Sequence, residues 1–339
     1  MGLTSRQERL LQLIVEHFID TGEPVGSKFL STVYGTNISS ATIRNEMASL
    51  FRDGFLEQPH TSAGRIPSDT GYRYYIRYLM PEISLPSTEK YKILQRLDTF
   101  AGDPREVLRS GTETLAEISD CITLCSTPLS RGNKISRLEI AVTGKNTAVV
   151  ILKTDTGVIR QKVIRTNAEI DFNTVQLFYN LAASFFNNSS PMELTRAAIQ
   201  NTICSLGDRA FAMIPIISAA VDLALESEKA EIIVSGRGNV FHHREISLSA
   251  HSILELTENA ESMKKLLDNN SDGIGISIGA ENGFPELRAT TVLTCPYRIG
   301  NITAGTIGII GPIGMDYPKL IPYIKFITSK LSEILSEEA

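Results

Sequence analysis

The chain has 339 residues, of which 42% are hydrophobic and 21% charged, with a formal net charge of −5. That is apolar material for two or three packed domains, and it excludes a disordered or low-complexity chain. The acidic balance excludes a basic tail, so any contact with a polyanion must come from local placement of charge. Cys121, Cys125, Cys204 and Cys295 form no CxxC pair and read as free buried thiols, with no metal site or cofactor implied. The longest apolar runs, such as Thr306 to Gly311, fall far short of the roughly 20 residues a membrane helix needs, and MGLTSRQERL has no apolar signal core. The expected location is the cytoplasm, with no membrane partner.

Residues 1–80 read as short helices broken by sharp turns. Thr4 and Ser5, with Gln7 and Glu8 behind them, form a capping-box pattern at the start of a helix lined by Leu10, Leu13, Ile14 and Phe18. TGEPVGS breaks the chain, Ser27 is placed to cap a second short helix ending near Tyr34, and Gly35 opens a tight turn. Ser39 caps a third helix, SATIRNEMASLFRD, which ends at Gly54. At 100° per residue, Ile43, Met47, Leu50 and Phe51 fall on one side, and Ala41, Asn45, Ala48 and Arg52 fall opposite, flanked by Thr42, Arg44 and Ser49. Such a small, polar outer face suits close approach to another surface.

FLEQ followed by HTSAGRIP supplies two short strands with a loop between them, and the order of elements is that of a winged helix-turn-helix. In such a module the third helix enters the major groove, where Asn or Arg reads a purine edge and short side chains permit depth. The loop at Ala63, Gly64 and Arg65 reads as the wing tip, with Gly64 permitting a tight backbone and Arg65 reaching the minor groove or a phosphate. Asp69 or Thr70 then caps a fourth helix whose Tyr72, Tyr75, Ile76 and Leu79 face inward, while Arg73 and Arg77 face outward. Residues 1–80 hold eight basic and eight acidic side chains, so the interface depends on the fold segregating them.

Beyond a proline-interrupted linker at 81–88, helical spacing covers Glu89 to Phe100 and Arg105 to Leu124. RLEIAVTG, TAVVILKTDTG and VIRQKVI read as a three-stranded meander, followed by helical segments at Phe172 to Asn187, Met192 to Leu206 and Asp208 to Glu228. A strand-rich region then runs from EIIVSG through GIGISIG, TTVLTCPY and GTIGIIG to a closing helix near Tyr317 to Leu335. Strands, then helices, then strands again predict an α+β multidomain protein with one domain inserted into another.

Little here points to catalysis. SGRGN, Ser235 to Asn239, lacks the third glycine of a dinucleotide loop, and no GxxxxGK[ST] loop occurs. The adjacent His242 and His243 read as exposed loop histidines, and GAEN, Gly279 to Asn282, as a turn capping a strand. A different class of function, a metabolite-responsive regulator or an enzyme with a pocket in the C-terminal part, is the alternative expectation.

LTSRQERLLQLIVEHFIDTGEPVGSKFL, ISSATIRNEMASLFRDGFLEQPHTSAGRIPSDTGYRYYI, SIGAEN, GTIGIIGP and MDYPKLI together resemble the HrcA family of heat-inducible transcription repressors. The resemblance implies a winged-helix DNA-binding domain at 1–80, a GAF-like domain at 89–133 and 229–339, and a dimerisation domain inserted at 134–228. It implies a homodimer that represses chaperone operons at an inverted-repeat operator on double-stranded DNA, with the GroE chaperonin as helper, and no enzymatic activity. Onto the family motif fall Ser40, Thr42, Arg44 and Asn45 of the third helix and His60, Thr61, Ser62, Gly64 and Arg65 of the wing, and Arg73 is expected to join them. Where the family usually has arginine before MDY, this chain has Gly314.

Overall fold

The computed structural model describes residues 2–337 apart from 36–37, 61–62, 100–101, 129–133, 156, 228–230 and 269–272. Helix α1, Ser5–Thr21, starts at a capping box in which Thr4 Oγ1 accepts from Gln7 N–H at 3.3 Å and Gln7 Oε1 accepts from Thr4 N–H at 3.0 Å. Left-handed Gly22 ends it. Helix α2, Ser27–Val33, has Gly26 at its N-cap, so Ser27 is its first helical residue and does not cap it. Helix α3, Ser40–Arg52, is capped as expected, Ser39 Oγ accepting from Thr42 N–H at 3.1 Å. Leu10, Leu11, Ile14, Leu30, Ile43, Met47 and Leu50 form the core of this three-helix module.

Strands β1, Leu56–Glu57, and β2, Ile66–Pro67, pair antiparallel with Leu56 opposite Pro67. Helix α4, Asp69–Tyr74, widens into a π-type turn through Leu79. Its cap is Ser68 and not Asp69 or Thr70: the Ser68 hydroxyl accepts from Gly71 N–H at 3.1 Å and donates to Gly54 O at 2.6 Å. A serine in extended backbone that also ties down the preceding turn satisfies two groups at once. Tyr72 and Tyr75 are buried, as their spacing predicts, whereas Ile76 and Leu79 are half-buried. A Cβ on Gly71 would stand 2.2 Å from Phe55 O, so only glycine lets α4 lie against that strand entry.

Helices α5, Ser87–Asp98, and α6, Pro104–Ser119, follow. The helix expected to continue to Leu124 stops at Asp120, which takes left-handed φ of 51°, and Ile122–Ser126 is strand β3, buried at every position. A short apolar run such as ITLC fits a core strand and a core helix equally by periodicity, and the environment decides. Strands β4, Ile135–Gly144, β5, Thr147–Thr154, and β6, Ile159–Arg165, form the expected meander in that order. Helices α7, Phe172–Leu181, α8, Arg196–Ser205, and α9, Ala210–Ser227, complete this part. By length and composition α9 could cross a membrane, a longer apolar stretch than Thr306 to Gly311. Its Met213, Ile216, Ala220 and Leu223 pack in one core with Leu138, Val150 and Leu152 of the meander.

Strand β7, Ile232–Ser235, leads to helices α10, Ala250–Glu258, and α11, Ala260–Leu267, two helices inside a region that reads as strand-rich. Strands β8, Gly275–Ile278, β9, Thr290–Ile299, and β10, Ile302–Pro312, precede the closing helix α12, Tyr317–Glu337. The five strands lie in the order β7-β3-β10-β9-β8, with Ile309 of β10 opposite Thr123 of β3. One face buries Ile122, Leu124, Val292 and Ile310 with Ile253, Met263 and Leu267 of α10 and α11. On the other, Thr123 Oγ1 donates to Thr112 O of α6 at 2.8 Å. The chain divides into two compact units, one of 1–125, 232–297 and 306–331, the other of 126–231, 298–305 and 332–339.

Candidate nucleic-acid interface

The solvent side of α3 carries Ala41, Arg44, Asn45, Ala48 and Arg52, all exposed, with no acid among them. Three of the module's acids are engaged elsewhere: Glu46 pairs with Arg6 at 3.4 Å, Glu8 accepts from the Tyr74 hydroxyl at 2.7 Å, and Glu16 accepts from Gln12 at 2.8 Å. Only Asp53, which accepts from Ser49 Oγ at 3.2 Å, and Glu57 follow at the far end of the helix. An N-terminal module with no basic excess thus still presents a locally positive helix face. Ser40 and Thr42 are half-buried at the helix start, and the Thr42 hydroxyl lies 3.0 Å from Ser39 Oγ.

Phe51 departs from expectation. It is 42% exposed, and Arg65 lays its guanidinium over the ring, 4.6 Å from the centroid. Arg44 and Phe51 are seven residues apart and stand within about 20° on the helix, so the edge of α3 that carries Arg44 is the edge the hairpin adjoins. Arg65 itself sits at the root of the β1–β2 hairpin, not at its tip, its backbone exchanging two 2.9 Å hydrogen bonds with Val25. The tip is the turn closed by Ala63 N–H donating to His60 O at 2.9 Å, with His60 exposed; Thr61 and Ser62 lie outside the described residues. Gly64 is needed for close approach and not for an unusual dihedral: a Cβ there would stand 2.4 Å from Val25 O.

Arg73 does not face outward with these residues. Its Nη2 donates to Ile276 O at 2.8 Å and pairs with Glu281, whose Oε2 also accepts from Ile278 N–H at 2.9 Å. Asp69, one turn earlier on α4, stands over Gly279, and burial together with the charge of Glu281 holds its carboxyl above the ordinary value. Arg77 is exposed. Gly314 faces the same module: its Cβ direction meets the Tyr72 hydroxyl at 3.2 Å and the Phe18 ring at 3.7 Å.

GAEN is a single 3-10 turn tied by Asn282 Nδ2, which donates to Gly279 O, Leu287 O and Thr290 O at 3.0 to 3.1 Å. The two histidines both turn to Asp120, His242 Nδ1 lying 2.8 Å from its carboxylate and His243 Nε2 2.7 Å from its carbonyl oxygen. SGRGN closes the same helix end, Asn239 Nδ2 donating to Ala116 O and Cys121 O. The histidine pair and SGRGN fasten the end of α6. What sequence reasoning misses is the stacking role of Phe51 and the pairing of Arg73 with Glu281. The missing signal for the first is that a large apolar residue at a helix edge is indistinguishable from core by period alone.

A family model described as the HrcA protein C terminal domain matches residues 105–321. The chain belongs to the HrcA family. Similar relatives named Heat-inducible transcription repressor HrcA include that of Caldanaerobacter subterraneus subsp. tengcongensis, 32% identical over 99% of this chain and 98% of its own. That of Acetivibrio thermocellus is 31% identical over 98% and 96%, and that of Clostridium botulinum strain Eklund 17B is 32% identical over 100% of both chains. A crystal structure of a protein described only as hypothetical covers 100% of both chains with a TM-score of 0.68 at 24% identity, and so shares the HrcA-family chain's fold. Transcriptional repression in the heat-shock response is the activity that the HrcA names carry.

Proposed function

We propose that the protein is a homodimeric, sequence-specific repressor of chaperone operons that binds an inverted-repeat operator through a winged helix at 1–80. The carrying observation is the acid-free face of α3, Ala41, Arg44, Asn45, Ala48 and Arg52, adjoined along one edge by the hairpin through Arg65 and Phe51. In this reading α3 enters the major groove. Asn45 and Arg44 take base edges, Arg52 neutralises a phosphate, and the alanines allow close approach. The loop carrying His60 and Ala63 follows the adjacent backbone or minor groove, with Arg65 braced behind it.

One winged helix reads too few base pairs to stand out against a genome, so two copies on a symmetric site are required. The insert at 134–228, in the reading of 89–133 and 229–339 as a GAF-like domain around it, is the dimerisation surface. Of the seventeen exposed large hydrophobic residues among those described, eight lie in that insert, Val163 at 72% and Phe172 at 75% exposure among them. Such concentration is what an interface between copies leaves on a single chain. The GroE chaperonin assists: when unfolded clients occupy it, the repressor loses its helper, leaves the operator, and chaperone synthesis rises.

A binding titration of the purified chain on DNA from upstream of its host's chaperone genes tests the reading. Arg44→Ala and Asn45→Ala are each expected to weaken binding by about 1 to 3 kcal/mol, roughly 5- to 150-fold, with folding retained. Unchanged affinity in both variants removes α3 as the reading element.

A further inference from the structure

The N-terminal module is joined covalently to the five-stranded part only by residues 80–86, which form neither helix nor strand. A tether of that length would by itself let a reading head wander by on the order of 15 Å, several base-pair steps of DNA. Side-chain contacts close the gap that the tether leaves open. Arg73 of α4 reaches into the end of β8, donating to Ile276 O at 2.8 Å and pairing with Glu281. Glu281 is itself fixed, accepting from Ile278 N–H at 2.9 Å in the turn that Asn282 ties down with three carbonyl contacts. Beside this pair Asp69 covers Gly279, whose φ is +58° and whose Cβ, if present, would stand 2.3 Å from Asp69 Oδ2. The Tyr72 and Tyr317 rings, with centroids 6.1 Å apart, complete the seam.

None of these groups has work to do in reading bases. Arg73 has its guanidinium turned to the body of the same chain, and α3 remains exposed while it is so engaged. A head held by a directional guanidinium contact keeps one orientation, and in a dimer the orientation of each head fixes the separation of the two reading helices. Building on the proposed binding of an inverted repeat by two copies, we infer that the Arg73–Glu281 clamp sets which half-site spacing the protein accepts. Arg73 is then a positioning residue and not a DNA contact.

The test uses the full-length chain and a series of synthetic inverted repeats whose half-sites are moved apart one base pair at a time. Wild-type protein is expected to show a sharp optimum, losing tenfold or more in affinity one or two base pairs away. Arg73→Met, which keeps the apolar stem, and Glu281→Gln are expected to bind the optimal repeat within about threefold of wild type yet to flatten the profile, whereas Arg73→Lys restores part of the selectivity. Circular dichroism melts confirm that the variants fold, and having two variants on opposite sides of the clamp guards against loss of either one. A sharp wild-type profile retained in both Arg73→Met and Glu281→Gln overturns the clamp while leaving the dimeric reading intact. A uniform loss of affinity at every spacing in Arg73→Met also overturns it, because that is the signature of a phosphate contact. A wild-type profile with no optimum overturns the dimeric reading and the clamp with it.

Discussion

Arg65 and Phe51 are stacked, the guanidinium lying 4.6 Å from the ring centroid, and this contact joins the root of the β1–β2 hairpin to the exposed edge of α3. Cation–π contacts at exposed sites contribute about 0.5 to 1 kcal/mol. Phe51→Ala is therefore expected to lower operator affinity roughly two- to fivefold by freeing Arg65, with little effect on folding because the ring is 42% exposed. Phe51→Tyr keeps the platform and should bind like wild type. An anisotropy titration of both variants checks the pair.

Gly64→Ala places a Cβ 2.4 Å from the backbone oxygen of Val25, an atom that cannot rotate away. The hairpin root must then part from the segment before α2, losing the two Val25–Arg65 hydrogen bonds, at a cost of about 1 to 3 kcal/mol. Gly238→Ala is the control, since nothing lies within 4 Å of its Cβ. Urea denaturation followed by circular dichroism should show a lower midpoint for Gly64→Ala alone.

The four thiols should divide one against three. Cys204 is exposed, while burial pushes Cys121 and Cys125 up to about 12 and raises Cys295 as well. A chromogenic thiol reagent at pH 8 is expected to titrate one cysteine rapidly and the rest only on unfolding. Cys204→Ser should abolish the rapid phase.

Asp69 gives a pH dependence with a definite sign. Its carboxyl is held above the ordinary value by burial and by Glu281, so the native state binds its proton more tightly than the unfolded chain does. Stability from this group is present below the ordinary carboxyl pKa and is lost as pH rises through the raised one. Asp69→Asn removes that penalty, so the variant's melting temperature relative to wild type should be most favourable near pH 7 and decline toward pH 4. A difference that grows on acidification contradicts the assignment.

Much of this was legible because local signals and packing agree. Thr4 with Gln7, Ser39 with Thr42, and the β-branched runs of β4 to β6 each specify their element without help from distant residues. The failures share a cause. Ile122 to Ser126 becomes a strand because β10 lies beside it, and α10 and α11 carry helical spacing inside a stretch whose neighbours are strands. Phe51 looks like core until a cation 14 residues away covers it, and Arg73 looks like a surface charge until Glu281, 208 residues on, claims it. Pairings of such separation are written in the fold and not in any window of sequence. The exposed face of α3 was readable because it follows from the helical period and from which residues lack length and negative charge.

Hydroxyl-radical footprinting of the purified chain on DNA upstream of its host's chaperone genes, at two salt concentrations, addresses the central claim most directly. The account predicts two protected half-sites related by a two-fold axis, on one face of the duplex, with occupancy falling steeply at higher salt as released counterions demand. Protection of a single unsymmetrical segment, or occupancy indifferent to salt, would contradict it.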